Sequence, residues 1–395
     1  MSVLDNFLYK AELRMNDVFR RSIKLWWLGI AAAFMAFFWW GNSMPNPSNQ
    51  TKPLLPLSAL GADINETTVS GISSGAYMAG QFQLAHGKIV KGAAIVAGGP
   101  YGCAQSVFSG AAPDAGAVFL GASRAINGCM QNNLKAWGVP DPQRLAKKAN
   151  DLADKNRIDS ILHVVNDKVY LFSGAKDQTV QPPIVDAANE FYLKLGVPAQ
   201  NILFKKDIEA GHGFVTQDEG GACAASSIPY IVDCDYDQAG AILSHLYANL
   251  QNPEPKPRSN DNNLGTFVEF NQLDYVPGER DHGLSKTGII YVPNVCRSAP
   301  GCRVHIAFHG CGQNRGAVGG AFTTTTGFAP WADANRLLIL FPQVSTGALN
   351  PTGCWDWWGY TGRDYLTKDA PQISAVRAML EQLARTPGQS NAPST

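Results

Sequence analysis

Charge is scarce in this sequence. Only 16% of its 395 residues are Asp, Glu, Lys or Arg, and 32 basic side chains balance 32 acidic ones to a formal net charge of +0. With no basic field to hold a phosphate backbone, nucleic acid is not an expected partner. Metal-binding signatures are missing too: there is no C-x2-C pair and no H-E-x-x-H. The nearest approach is Cys302-x2-His305-x3-His309-x-Cys311. However, "CRVHIAFH" alternates as a strand, and at about 3.3 Å per residue His305 and His309 stand about 13 Å apart, too far to share one ion. No metal or cofactor is expected. There is no internal repeat, and no cysteine precedes residue 103.

All eight cysteines lie beyond that point: Cys103, Cys129, Cys223, Cys234, Cys296, Cys302, Cys311 and Cys354. An even number, confined to one side of an export-like segment, reads as disulfides in an oxidising compartment. Connectivity cannot be deduced from sequence; pairing of neighbours (103–129, 223–234, 296–302, 311–354) is the working expectation. The segment itself begins with Arg20, Arg21 and Lys24, followed by the uncharged run "LWWLGIAAAFMAFFWW". Basic residues before an apolar run place the N-terminus in the cytoplasm and send the rest across the membrane. Three readings of this segment stay open: a retained anchor, a cleaved signal peptide and a buried N-terminal helix. Paired tryptophans at both ends of the run suit a retained anchor, and the following "GNSMPNPSN" is a poor cleavage site for a signal peptide. The expected division is a cytoplasmic stretch at 1–24, a signal peptide or membrane anchor at 25–44, a Pro/Ser-rich tether at 45–61, one catalytic domain at 62–386 and a disordered tail at 387–395. The localisation expected is extracytoplasmic, either secreted or periplasmic, with contact to the inner membrane if the segment is kept. The oligomeric state is open.

Short apolar runs at 93–98, 169–174, 201–206, 288–293, 304–310 and 337–343 read as buried strands. Helical patterns at 76–87, 143–153, 184–196, 238–250 and 371–384 lie among them. Continuously apolar strands alternating with helices predict an α/β fold, a sheet covered on both faces. The stretch "NPEPKPRSNDNN" at 252–263 is either a domain boundary or a long surface connection.

Within this frame "TTVSGISSGAYMAGQFQLAHG" stands out, because Gly71-Ile72-Ser73-Ser74-Gly75 has the G-x-S-x-G spacing of a nucleophile elbow. Strand, tight turn and helix would lift the Ser73 hydroxyl above the sheet and aim helix N–H groups at developing negative charge. Serine needs a base, and His212 in the glycine-flanked loop "EAGHGF" is the best placed of seven histidines. His86, His163, His245, His282 and His305 lie in helix, apolar or polar-loop contexts that are more simply structural. The base needs a carboxylate to orient it. Asp177, just past the run "VYLFSG", fits; Asp167, Asp186 and Asp207 remain alternatives. A strand running into His309-Gly310-Cys311 has the form of an oxyanion loop, but it lies far downstream of Ser73. That order predicts a circularly permuted α/β-hydrolase fold.

"GISSGAYMA", "FSGAKDQTV", "AGHGF", "AFHGCGQ" and "GCWDWWGY", in this order, resemble the catalytic domain of poly(3-hydroxybutyrate) depolymerases. The resemblance implies a catalytic triad of Ser73, Asp177 and His212, with an oxyanion hole from the backbone N–H groups of Ser74 and Cys311. It implies hydrolysis of hydroxyalkanoate polyester or its oligomers through an acyl-enzyme on Ser73. An uncharged polyester suits an apolar cleft, and Tyr77, Trp355, Trp357 and Trp358 are candidates to line it. Many secreted members carry a further polymer-binding domain, whereas here the chain ends at Thr395, so oligomers or amorphous chains are the easier expected substrate. A carbohydrate-ester hydrolase of the feruloyl or acetyl-xylan type is the alternative enzyme. A non-catalytic envelope protein with a hydrolase fold is the remaining one.

Overall fold

Strand β1 (Asp63–Ile72) is longer than its β-prone residues suggest: only its last six residues are buried, and its first four lie toward solvent. It turns directly into helix α1 (Ser74–Ala85), whose side chains are buried throughout. The computed structural model describes residues 53–106, 115–254, 264–278 and 281–388, and from Leu54 on they belong to one unit. The apolar run within 25–44, the residues before it and residues 45–52 of the tether lie outside the described residues. So do residues 255–263 of the Pro-rich stretch and the tail beyond 388.

After α1 come β2 (Val90–Val96), α2 (Ala115–Cys129), α3 (Pro142–Asp154), β3 (Lys168–Phe172), α4 (Pro182–Lys194) and β4 (Ile202–Lys205). Three very short strands follow, β5 (Phe214–Thr216), β6 (Gly221–Ala222) and β7 (Ile231–Asp233), then α5 (Gln238–Leu246) and β8 (Thr266–Asn271). The chain continues through β9 (Thr287–Val292), β10 (Arg303–Phe308), α6 (Phe328–Asn335), β11 (Leu337–Phe341) and α7 (Pro371–Ala384), with short helical turns between.

Among the described residues eight strands form one sheet in the order β4-β3-β2-β1-β10-β11-β9-β8. From β4 to β11 the neighbours are parallel; β9 runs antiparallel to both β11 and β8. Alternation along each strand feeds two separate cores. On β2, Ala93 and Ile95 face one core while Ala94 and Val96 face the other. Burial on both faces is why the strands read as unbroken apolar runs. The helix signals are local: Asp141 accepts a hydrogen bond from the Arg144 amide and Pro142 opens α3, a capped start.

The end of the stretch read as a tether packs against the domain. Leu57 is buried and its carbonyl accepts from the Gln382 side chain, while the Leu60 and Ala62 amides both donate to the carbonyl of Leu383. The small parallel sheet β5-β7-β6 has no sequence signal, because strands of two or three residues have no period to detect. The four neighbouring cysteine pairs are all disulfide-bonded. No helix among the described residues is long and apolar enough to cross a membrane.

Candidate active site

Ser73 caps α1 with φ 56° and ψ −122°, a left-handed backbone that L-residues adopt at a cost of about 1–3 kcal/mol. The turn is held by the Ser73 amide, which donates to the Val96 carbonyl at 2.9 Å. Glycines on either side let backbones approach closely. A Cβ on Gly71 would lie 2.1 Å from the Gly75 carbonyl oxygen, and one on Gly75 would lie 2.3 Å from the Phe308 oxygen. The elbow is thus wedged against the end of β10.

Asp177 and His212 come from the loops after β3 and β4, which are laced together. Ala175 N donates to Ile208 O and Lys176 N to Ala210 O. A Cβ on Gly174 would meet the Ala210 oxygen at 2.3 Å, so only glycine permits this approach. The result is a His212 Nδ1 to Asp177 Oδ2 hydrogen bond of 2.8 Å with both residues buried. The other carboxylate oxygen, Oδ1, accepts from the Thr179 and Val180 amides at 2.8 and 2.9 Å, which fixes the carboxylate plane. The His212 amide donates to Ser226 Oγ, and the ring meets Tyr230 edge-on. The other aspartates are committed elsewhere: Asp186 to Lys206, Asp207 to Lys205, and Asp167 to Gln83.

The zinc-like pattern dissolves in the structure. Cys302 and Cys311 are in disulfides with Cys296 and Cys354. His305 has both ring nitrogens engaged, by Thr68 Oγ1 at 2.7 Å and Ser70 Oγ at 2.8 Å, and burial holds its pKa down at about 3. His309 is likewise pushed down to about 4 by burial, with Nδ1 bonded to the Gly310 carbonyl. Both are neutral and structural.

β10 lies beside β1, with Gly71 paired to Phe308, so His309-Gly310-Cys311 emerges next to the elbow. A Cβ on Gly310 would lie 3.2 Å from the Ser73 Cβ. The Gly310 amide donates to Gln313 Oε1 and the Gly312 amide to the Thr352 carbonyl. Between these two tied amides stands that of Cys311. Ser74, first residue of α1, has one of the N–H groups that a helix start leaves unpaired by its own turns. Its hydroxyl accepts from the Trp355 amide at 3.3 Å.

The aromatic candidates divide. Trp355 is no cleft wall: it is wholly buried, edge-on to Phe308 at 4.9 Å and tilted against His309 at 5.7 Å, a support beneath the oxyanion-type loop. Tyr77 is also internal, its hydroxyl donating to the Cys129 carbonyl and its ring stacking on Trp357 at 4.3 Å. Burial pushes the Tyr77 phenol far up, so it stays neutral. Trp357 is buried with it, and only Trp358 is half-exposed. The organiser of this loop, which sequence reasoning missed, is Asp356. Its carboxylate accepts from the amides of Trp358, Gly359, Tyr360 and Thr361 and from the Thr361 hydroxyl. Burial raises its pKa, and these donors oppose the rise. The Cys311–Cys354 disulfide joins this tryptophan loop to the one carrying Gly310.

A serine at a strained strand–helix elbow, a buried His–carboxylate pair on the loops after β3 and β4 of the same sheet and two candidate amides have the form of a serine-hydrolase type of site on an α/β-hydrolase-like fold. No family model matches the chain. Two curated relatives do. A poly(3-hydroxybutyrate) depolymerase of Delftia acidovorans is 39% identical over 342 residues, 85% of this chain. The match spans 63% of that relative's length. A polyhydroxybutyrate depolymerase of Talaromyces funiculosus is 30% identical over 345 residues, covering 83% of this chain and 92% of the relative. Among solved structures, the PHB depolymerase of Penicillium funiculosum superposes with a TM-score of 0.70 at 30% identity, over 83% of this chain and 98% of that one. A serine-to-alanine PHB depolymerase complexed with an R3HB trimer matches equally, with a TM-score of 0.70. The chain belongs to the poly(3-hydroxybutyrate) depolymerase family.

Proposed function

We propose that the protein is a serine carboxylic-ester hydrolase that cleaves poly(3-hydroxybutyrate) or its oligomers. The observation that carries this reading is the buried 2.8 Å bond between His212 Nδ1 and Asp177 Oδ2, in a family whose solved member binds an R3HB trimer. Asp177 keeps the proton on Nδ1, leaving Nε2 free to accept one. Ser73 Oγ loses its proton to His212 Nε2 and attacks the acyl carbon of a hydroxybutyrate unit. The carbonyl oxygen becomes an oxyanion facing the Ser74 and Cys311 amides. Collapse expels the hydroxyl of the next unit, which takes the proton from His212, and leaves an acyl-enzyme on Ser73. Water, deprotonated by His212, releases the acid and restores the serine.

The substrate is uncharged, and the loop beside the site offers Trp358 as its half-exposed apolar contact. The strand order, with β10 beside β1 yet far later in the chain, supports a circularly permuted hydrolase with one catalytic domain over 62–386. Four disulfides support an extracytoplasmic location, and residues 25–44 serve as signal or anchor. Incubation with amorphous poly(3-hydroxybutyrate), with feruloyl and acetyl-xylan esters alongside, tests the function. Hydroxybutyrate oligomers are expected as products from the native enzyme and none from Ser73→Ala. Cleavage of the carbohydrate esters without polymer or oligomer turnover would overturn it.

A further inference from the structure

The oxyanion-type loop is held by a side chain that has no place in the triad. Gln313 is buried, with 1% of its surface exposed, and both ends of its amide are used. Oε1 accepts from the Gly310 amide at 2.7 Å. Nε2 donates to the carbonyls of Pro229 and Tyr230, both at 3.0 Å. Its own backbone amide donates to the Gly310 carbonyl at 3.2 Å.

Two properties of these contacts matter. Gly310 precedes Cys311, and a peptide unit is planar, so fixing the Gly310 carbonyl fixes the direction of the Cys311 N–H. That carbonyl is gripped by the Gln313 amide and by His309 Nδ1 at 2.8 Å, while the Gly310 amide before it is held by the Gln313 side chain. The far end of the clamp reaches the segment that carries Ser226 and Tyr230, which themselves hold the His212 amide and flank its ring. One glutamine therefore ties the amide beside the nucleophile to the loop that locates the base.

We infer that Gln313 is a positioning residue for the oxyanion hole, setting the Cys311 N–H against the base-bearing loop through its bonds to Gly310, Pro229 and Tyr230. This rests on the ester-hydrolase reading above. The Cys311 amide meets full negative charge only in the transition state, so its misalignment should lower kcat and spare KM. Loss of a whole oxyanion donor costs about 100- to 1,000-fold, and displacement of one about 100-fold or less.

The test is steady-state hydrolysis of p-nitrophenyl butyrate and a hydroxybutyrate trimer by the native enzyme, Gln313→Met and Gln313→Glu. Gln313→Met removes both ends of the clamp; kcat should fall on the order of 10- to 100-fold with KM within about twofold. Gln313→Glu keeps the shape and the acceptor for Gly310 but places an oxygen against the two carbonyls. Only the protonated acid can donate to one of them, so its kcat relative to native should recover as pH falls. If Gln313→Met does not fold, that relative pH profile carries the test alone. A native enzyme that cleaves neither ester refutes the parent reading. A native enzyme that cleaves them, with Gln313 variants of unchanged kcat, a loss confined to KM or a flat relative profile, overturns this inference.

Discussion

Replacing Asp177 by asparagine removes a charge from a site whose geometry dictates how the new amide must sit. One carboxylate oxygen accepts two backbone N–H groups, from Thr179 and Val180, and the other faces His212 Nδ1. If the asparagine nitrogen turned toward the two amides, both donors would lose their acceptor, at about 1–3 kcal/mol for the buried Val180 amide and less for the part-buried Thr179 amide. Its oxygen should therefore stay with them, and its NH2 should point at Nδ1. That nitrogen must then accept, which moves the histidine proton to Nε2 and blocks proton transfer from Ser73. A wrong tautomer of this kind costs about 10,000-fold in kcat, or about 5.4 kcal/mol at 1.36 kcal/mol per tenfold. Asp177→Asn should thus remain folded, with a melting temperature close to native, while kcat for p-nitrophenyl butyrate falls by that order. A folded variant retaining more than about a tenth of native kcat would refute the argument that this carboxylate sets the histidine proton.

Three further outcomes follow from other parts of the structure. Gly75→Ala would place a methyl 2.3 Å from the Phe308 oxygen and 2.5 Å from that of His309. It should cost about 3 kcal/mol or more in thermal or denaturant unfolding, and native-like stability would contradict the packing. Cys311→Ser with Cys354→Ser opens a link between residues 43 apart. It should lower unfolding free energy by about 4 kcal/mol and reduce kcat through the freed Cys311 loop; unchanged kcat would show that the loop holds itself. Burial raises Asp167 to about 8, against an ordinary value of about 3.9. The folded protein therefore keeps a proton that the unfolded chain has lost between roughly pH 4 and pH 8, and this group's contribution to stability falls as pH rises through that window. Asp167→Asn should gain on the native protein between those limits in melting temperature, and a pH-independent difference would count against it.

The large elements were legible because their causes are local. "VHIAFHG" is continuously apolar and forms Arg303–Phe308, and the helical pattern at 371–384 forms Pro371–Ala384. Ser73, Asp177 and His212 attract notice for a similar reason: each follows an apolar run and sits among glycines that announce a tight loop. Gln313 carries no such mark. The partners of its Nε2 are backbone carbonyls more than 80 residues away, on a segment whose position depends on the fold. Asp356 hides between tryptophans, where its ring of amide donors depends on a loop without period. The inward orientation of Trp355 is lost for the same reason, since a loop does not tell which residues face the core.

The neighbouring positions of β1 and β10 have a consequence in time. Thr68 and His305, hydrogen-bonded across that pair, are 237 positions apart in the chain. In the proposed mechanism, elbow, acid and base all precede the strand that brings Cys311 beside Ser73, so a growing chain would hold its nucleophile long before its oxyanion donor. Pairing so distant in sequence forms late and slowly. A nascent or truncated product ending before Arg303 lacks β10, so in the proposed mechanism it has the elbow, acid and base but no Cys311 amide to set beside Ser73.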